Sequence, residues 1–285
     1  MTLTVLIVLT LKFSIALNVF VLGLGATFKD ATHLFRRPEK FLRALLSMYV
    51  VMPLIALALA LTFDLSPAAR FAVVALSVSP VPPILPKKAL KAGGTENYSV
   101  GLLVAATLLA IVLVPVAMEV FERVFDVPLE MPVQSLAAVL LPYLLAPLAA
   151  GILVRAIAPA AAEWASGPVG ILATALLLLS FIPVLIGARQ DLLSVIGNGT
   201  VLAFAAFALA GLIAGHLLGG PEPEERTVLA LYTSARHPGV AIAIAQVNFP
   251  DQQRLAIAAA LVAVIVAGIV SAPYLKWTKR QALNV

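Results

Sequence analysis

The chain has 285 residues, of which 62% are hydrophobic and only 12% are charged. An ordinary soluble domain has about 45–50% apolar and about 25% charged residues. The composition therefore excludes a soluble globular domain and a disordered chain, and it predicts an all-α polytopic membrane protein. The net charge of +5 does not indicate a nucleic-acid partner, because the basic residues lie between apolar segments rather than in one patch. The sequence contains no cysteine, which excludes disulfides and thiolate metal sites.

Nine stretches are long and apolar enough to cross a bilayer, which takes about 20 mostly apolar residues. They are predicted at Leu3–Thr27, Leu42–Phe63, Arg70–Leu90, Tyr98–Met118, Pro132–Ile157, Pro168–Gly187, Thr200–Leu218, Thr227–Val247 and Arg254–Trp277. The first stretch lacks the basic leader of a signal peptide, so we interpret it as a span. The connections are short, and residues 1–285 are predicted to form a single membrane domain.

The distribution of Lys and Arg predicts the orientation. The loops that follow the odd-numbered spans, together with the adjoining span ends, contain 13 of these residues; the opposite loops and span ends contain 4, and Lys12 and Arg236 lie deeper within spans. Basic loops stay in the cytoplasm. We therefore predict a multi-pass protein of the cell (inner) membrane, with the N-terminus outside and the C-terminus in the cytoplasm.

A short pattern occurs twice in the chain. Three residues in or just before the third predicted span recur in or just before the eighth at a constant offset of 156, namely Pro67, Arg70 and Pro82 as Pro223, Arg226 and Pro238. The two spans run in opposite directions in the predicted topology. The pattern thus predicts inverted repeats of about residues 3–118 and 168–277, joined by a connector helix at 132–157; a chance match of common residues is the alternative.

Both repeated spans are interrupted by proline. The third contains Pro80, Pro82, Pro83 and Pro86, and the eighth contains Pro238 followed by glycine. One proline costs a helix interior about 3 kcal/mol, so neither span is predicted to be continuous. Broken helices at matching positions of inverted repeats are typical of secondary transporters, which bind their substrate near the bilayer midplane.

The breaks contain the predicted substrate site. Arg236 lies at membrane depth, where a charge costs about 2.5–3.5 kcal/mol, and no span has a carboxylate near its middle to pair with it. A bound anion is the favoured partner, and backbone carbonyls freed by the break are the alternative. A helix that begins at Pro238 would also offer free N–H groups to an anion. The predicted contact residues are Ser79, Pro80, Pro82, Thr233, Ser234, Arg236, His237 and Gly239.

Other polar residues in the spans are secondary candidates, each with a simpler structural interpretation. The simpler interpretations are that Lys87 and Lys88 end the third span on its basic side, that Lys12 reaches the interface, and that Asn18 and Gln246 bond neighbouring helices. The secondary candidates are Lys87, Lys88, Lys12, Asn18, Tyr232 and Gln246. No metal site, cofactor or catalytic motif is predicted, and without a Walker motif the chain is not expected to use ATP or to be an enzyme.

Three stretches resemble the bile acid:sodium symporter family. They are Leu22–Gly25 with the following Arg36–Pro38 loop, Pro53 with the broken third span, and Glu225–Val228 running to His237–Ala241. The resemblance implies inverted five-helix repeats whose two broken helices cross in a core domain beside a panel domain. This chain resembles that arrangement without its first helix. The resemblance also implies that the substrate is a small organic anion and that the protein lies in a lipid bilayer.

The sequence departs from the family at its sodium-binding pattern. Where that family has small residues, glycines and a Ser-Asn pair, this chain has Pro80–Pro82 and Leu85-Pro86; the family's glutamate falls on Tyr232, and its Gln-Asn pair falls on Arg236-His237. We therefore predict alternating-access transport of small organic anions without obligatory sodium, with a fixed cation in sodium's place. The alternatives are sodium symport through relocated ligands, a channel, or a non-transporting scaffold. The relocated ligands would include Ser77, Ser79, Thr107, Thr233, Ser234 and backbone carbonyls.

Overall fold

The computed structural model describes residues 3–283, which form helices and short connections without any strand in that range. The helices are α1 (Leu3–Gly25), α2 (Phe28–Ala31), α3 (Pro38–Leu45), α4 (Met52–Thr62), α5 (Pro67–Val78), α6 (Leu85–Lys91), α7 (Glu96–Phe125), α8 (Val133–Leu140), α9 (Ala146–Ile157), α10 (Pro159–Gly187), α11 (Arg189–Val195), α12 (Thr200–Leu218), α13 (Pro223–Ser234), α14 (Pro238–Asn248) and α15 (Gln253–Leu283). Two π-helical turns, Leu46–Val51 and Leu141–Leu145, join α3 to α4 and α8 to α9. The predicted polytopic helical fold is confirmed.

Within residues 3–283, seven continuous helical stretches are long and apolar enough to cross a membrane. They correspond to seven of the nine predicted spans. The third and eighth predicted spans are instead two short helices each, α5 with α6 and α13 with α14. The predicted breaks are thereby confirmed, whereas a count of nine crossings stays a prediction.

Several predicted boundaries were wrong, and in each case the helix is longer. The sixth span begins at Pro159 rather than Pro168, and Pro168 lies inside α10. Proline is tolerated within membrane helices because neighbouring groups satisfy the freed carbonyls. The fourth span continues beyond Met118 to Phe125, and the ninth continues beyond Trp277 to Leu283. Charged residues that leave the hydrocarbon are still good helix formers, so a helix does not end where its hydropathy does.

The helix boundaries repeat at the offset found in the sequence. Helices α5 and α13 both have 12 residues, and their first and last residues are each 156 positions apart. Helices α4 and α12 end at Thr62 and Leu218, again 156 positions apart. The two halves of the chain are thus built from matching elements, which supports the predicted repeat.

The broken spans traverse two hydrophobic clusters in opposite order. Helix α5 contributes to one cluster and α6 to the other, whereas α13 belongs to the second cluster and α14 to the first. The chain therefore passes from the first cluster to the second in one broken span and returns in the other. This is the order expected of an inverted repeat with crossing breaks.

The helices pack in two groups. Helices α1, α9 and α10 contact one another and form what we call the panel group; α4 to α7 and α12 to α15 pack together as the core group. Within the panel group, a Cβ added to Gly23 would lie 2.4 Å from the carbonyl oxygen of Leu148. Glycine at this position lets α1 and α9 approach closely. The two groups correspond to the panel and core domains that the resemblance implied.

A glycine row on α12 positions the second broken span. Gly211 and Gly215 are four residues apart on one face of α12, and Gly219 follows four residues later, immediately after the helix. A Cβ on Gly215 would lie 2.5 Å from the carbonyl oxygen of Leu229 on α13. The backbone of α13 therefore packs directly against α12, which places the end of α13, and the break after it, inside the core group.

Candidate functional site

The two breaks contact each other through a backbone hydrogen bond. The N–H of His237, immediately before α14, donates to the carbonyl oxygen of Pro80 at 2.8 Å. Pro80 follows the end of α5, where the proline run prevents further helical pairing. Residues predicted from separate repeats are thus joined at one crossing point.

The guanidinium of Arg236 is buried beside this crossing. The residue is 3% exposed, and its Nη2 donates to the carbonyl oxygens of Met48 and, at 2.6 Å, of Ser77. The Tyr49 ring lies 5.6 Å from the guanidinium carbon, a distance that permits a cation–π contact. Arg236 therefore joins the π-helical turn before α4 to the end of α5.

Both carbonyls that Arg236 binds lack a partner for a local reason. In a π-helical turn the carbonyl of Met48 would accept from the N–H five residues later, but that residue is Pro53, which has no N–H. The carbonyl of Ser77 lies in the last turn of α5, after which the chain leaves the helix. The alternative interpretation of Arg236, that it pairs with freed carbonyls, describes this arrangement.

This pairing limits what Arg236 can offer an anion. A guanidinium presents two forked pairs of N–H groups, and Nη2 belongs to both. Because both hydrogens of Nη2 point to carbonyls, neither fork is free for a bidentate carboxylate in this arrangement. Nε and Nη1 have no hydrogen-bond partner among the described residues. Arg236 thus contributes mainly a fixed positive charge behind the crossing.

His237 closes the end of α14 that was predicted to be open. Its Nδ1 accepts from the N–H of Gly239 at 3.1 Å, and its carbonyl accepts from the N–H of Val240 at 3.3 Å. Because Nδ1 is an acceptor, the neutral ring has its proton on Nε2. The imidazole therefore occupies the place of an N-cap oxygen, and an anion at this helix end would have to displace it.

The small hydroxyl residues named as candidate ligands are buried and mostly bonded within their own helices. Thr233 is the exception, since its hydroxyl lies 2.9 Å from that of Ser47. The others donate to carbonyls three or four residues earlier, namely Ser77, Ser79, Thr107 and Ser234. Such back-bonding satisfies a hydroxyl in an apolar helix without any ligand. Pro82 is also buried, and no cluster of three or more His, Asp or Glu side chains forms among residues 3–283.

Tyr232 is bonded to the first repeat. The residue is fully buried, and its hydroxyl is hydrogen-bonded to the hydroxyl of Ser99 and, at 3.1 Å, to the carbonyl oxygen of Ser99. A phenol thus fills the position that the resemblance assigns to a glutamate. This contact pins α13 to α7 and leaves no carboxylate at that place.

Lys87 lies where the core and panel groups meet. It is half-buried on α6, and its Nζ donates to the side-chain oxygen of Asn18 on α1 at 2.9 Å. Asn18 is 5% exposed and its amide nitrogen donates to the carbonyl of Ser14. Among residues 3–283, no carboxylate forms an ion pair with Lys87. A cation between the two groups is therefore bonded only to a neutral amide.

Three secondary candidates lie apart from the crossing. Lys12 is exposed on α1, with its Nζ 5.5 Å from the centre of the Tyr143 ring. Lys88 and Gln246 are also exposed. The exposure of Lys12 and Lys88 favours the simpler interpretations that the sequence left open for these two residues.

Sequence reasoning missed the partners of Arg236. Met48 and Tyr49 lie in a π-helical turn that hydropathy does not reveal. The one available signal was Pro53, since a proline inside a span always leaves an upstream carbonyl without its donor. Pairing that carbonyl with the unpartnered Arg236 would have pointed to the contact.

Comparison with known proteins agrees with this architecture. Residues 12–195 match the model of the Sodium Bile acid symporter family, which is more than half of the chain. A segment of 111 residues, 38% of the chain, is 35% identical to Sodium/bile acid cotransporter 4 of Rattus norvegicus and covers 25% of that protein. Sodium/bile acid cotransporter 4 of Homo sapiens is 34% identical over 110 residues, which again make up 38% of this chain and 25% of that protein. The matched segment thus spans about a quarter of these curated relatives. The chain, with its crossing broken helices and two helix groups, belongs to the Sodium Bile acid symporter family.

Proposed function

We propose that the chain is a secondary carrier for small organic anions that works by alternating access without obligatory sodium. It would lie in the cell (inner) membrane with its N-terminus outside. Membership of a transporter family supports transport, and the absence of any catalytic motif from the sequence agrees with it. The boundary between the two helix groups supports an anionic substrate, and the crossing supports transport without obligatory sodium.

The proposal of an anionic substrate rests on the surroundings of Lys87. Its ammonium is half-buried at the boundary between core and panel groups and lacks an ion-pair partner in the described part of the chain. Removing a cation from water without an opposite charge is costly, so such groups usually have a counter-ion. Asn18 adds an amide nitrogen that can donate to the same ligand. A carboxylate or sulfonate at this boundary would supply the missing charge.

Arg236 supports the second half of the proposal, which is independence from sodium. Sodium binds through oxygen atoms, and the carbonyl oxygens of Met48 and Ser77 would suit it. The guanidinium occupies them instead. A tethered cation that never leaves would keep the crossing assembled in every step of transport, while its charge favours an anion nearby.

The experiment measures thermal stabilisation of the purified protein by a panel of carboxylates, sulfonates and steroid conjugates. We expect at least one anion to raise the melting temperature with and without sodium. Lys87→Met should then weaken its binding at least tenfold, because a charge–charge contact at a half-buried position is lost. Lys88→Met is the matched control, since Lys88 is the exposed neighbour and should bind as wild type.

Equal affinity of wild type and Lys87→Met would contradict the assignment of the anion to this boundary.

A second candidate function is sodium:organic anion symport. It is favoured by the names of the relatives, which are sodium/bile acid cotransporters. The sodium titration in the same experiment separates the two, because symport requires anion binding to strengthen with sodium.

A further inference from the structure

A cavity lies away from the crossing, at the far ends of the two broken spans. It has a volume of about 210 Å³ and is walled by the start of α5, the end of α7, the loop after α7 and the residue after α14. Its residues on α5 include Arg70, Phe71 and Val74, and those opposite include Val127 and Phe249. Both broken spans thus contribute a wall, at the ends remote from the breaks.

The walls of this cavity are held in place by specific contacts. Phe71 and Phe249 form an edge-to-face pair with ring centres 4.7 Å apart. The side-chain amide of Asn248 accepts from the N–H of Glu130 at 2.6 Å and donates to its carbonyl at 2.7 Å. These two bonds fasten the loop after α7 to the end of α14, so the cavity is a formed feature rather than a gap between loose segments.

The cavity combines apolar walls with one positive charge. Arg70 is its only charged lining residue; it is exposed, and within residues 3–283 it forms no ion pair. Its position in the first turn of α5 adds the positive end of the helix dipole. An apolar cavity of about 150 Å³ holds benzene. A volume of about 210 Å³ therefore suits a ligand with one ring and a short chain. The positive charge of Arg70 favours a ligand whose chain ends in an anionic group.

We propose that this cavity is a second binding site, specific for a small soluble carboxylate with a single apolar ring. The ring lies among Phe71, Val74 and Phe249, and the carboxylate pairs with Arg70 at the rim. The ligand contacts α5 and the end of α14 together and so holds the two broken spans in their present arrangement. The site is separate from Lys87, which lies on α6 beyond the break.

The test is a calorimetric titration of the purified full chain in neutral detergent with 3-phenylpropionate. The parent protein carries Lys87→Met, so that binding at the boundary of the helix groups is weakened at least tenfold. Arg70→Gln should weaken binding at least tenfold while leaving the affinity for the neutral analogue 3-phenylpropanol unchanged. Val127→Trp, which fills the cavity from the exposed loop, should abolish binding of both compounds. Arg254→Gln removes an exposed arginine outside the cavity and should change neither.

Three results of the titration in detergent would overturn the proposal. They are no binding of 3-phenylpropionate to the Lys87→Met protein, equal binding by Arg70→Gln, and retained binding by folded Val127→Trp. Repeating the titration in phosphatidylglycerol nanodiscs separates a soluble ligand from a lipid. Retained binding there supports the soluble carboxylate, and its loss overturns that assignment in favour of lipid. Because the parent lacks Lys87, these results are independent of the proposed transport function.

Discussion

The N–H of His237 donates to the carbonyl oxygen of Pro80 at 2.8 Å. A backbone group in the break of one repeat therefore provides the hydrogen-bond partner for a backbone group in the break of the other. Neither group has a helical partner, because Pro80 follows α5 and His237 precedes α14. Arg236 adds a side-chain contact from the same point to Ser77. The crossing is therefore one hydrogen-bonded unit, and a movement of the core group against the panel group would move both breaks together.

Arg236 is expected to stabilise the fold. Arg236→Met leaves the carbonyls of Met48 and Ser77 buried without donors, at about 1–3 kcal/mol each. We expect a lower melting temperature and a free energy of unfolding reduced by about 2–6 kcal/mol. Arg254→Met, at an exposed arginine, is the control. Wild-type stability of Arg236→Met would show that the guanidinium does not hold the crossing together.

Sodium is expected to have no effect on the wild-type protein. At an effective dielectric constant of 20, two unit charges about 4 Å apart repel by roughly 4 kcal/mol, so Arg236 would weaken sodium binding nearby about a thousandfold. The melting temperature and anion uptake should be equal in sodium and potassium buffers. A saturable rise in melting temperature with sodium alone would favour the symport alternative. The same titration on Arg236→Ser, which frees both carbonyls, should show a sodium response if the guanidinium stands in sodium's place.

The sequence predicted the broken spans because proline acts on its own helix and needs no knowledge of neighbours. It also predicted the repeat, since Pro67 and Pro223 begin equivalent helices. It did not predict that His237 would cap α14 or that Lys87 would reach Asn18. Those contacts depend on how helices distant in sequence pack, and hydropathy contains no information about that packing. Pro53 indicates that a carbonyl upstream of it lacks a donor and could pair with Arg236. The sequence does not show that the turn before Pro53 is π-helical, and so it does not identify that carbonyl as the one of Met48.

Gly215 is expected to be required for packing. A Cβ there would lie 2.5 Å from the carbonyl oxygen of Leu229, so Gly215→Ala must push α13 away from α12. Overpacking of this kind costs about 1–3 kcal/mol and should lower the melting temperature. Gly268→Ala is the matched control, because a Cβ there meets nothing within 4 Å. In that helix interior alanine should be neutral or stabilise by about 0.5–1 kcal/mol. Equal melting temperatures of the two variants would contradict the packing argument.

The orientation can be tested with two cysteines placed on either side of one span. Phe35 lies before the helical stretch Pro38–Thr62 and is 48% exposed, and Asp64 lies just after that stretch and is also exposed. The excess of basic residues in the loop that contains Phe35 predicts that it is cytoplasmic. Because the chain has no native cysteine, each variant has a single thiol.

In intact cells, an impermeant thiol reagent should label Asp64→Cys and not Phe35→Cys. After permeabilisation it should label both, which controls for accessibility of each thiol. Labelling of Phe35→Cys alone in intact cells would reverse the predicted topology, although the two repeats would remain inverted relative to each other. Labelling of both variants would mean that the stretch Pro38–Thr62 does not cross the membrane. That outcome would remove the opposite directions of the two broken spans, on which the inverted repeat depends.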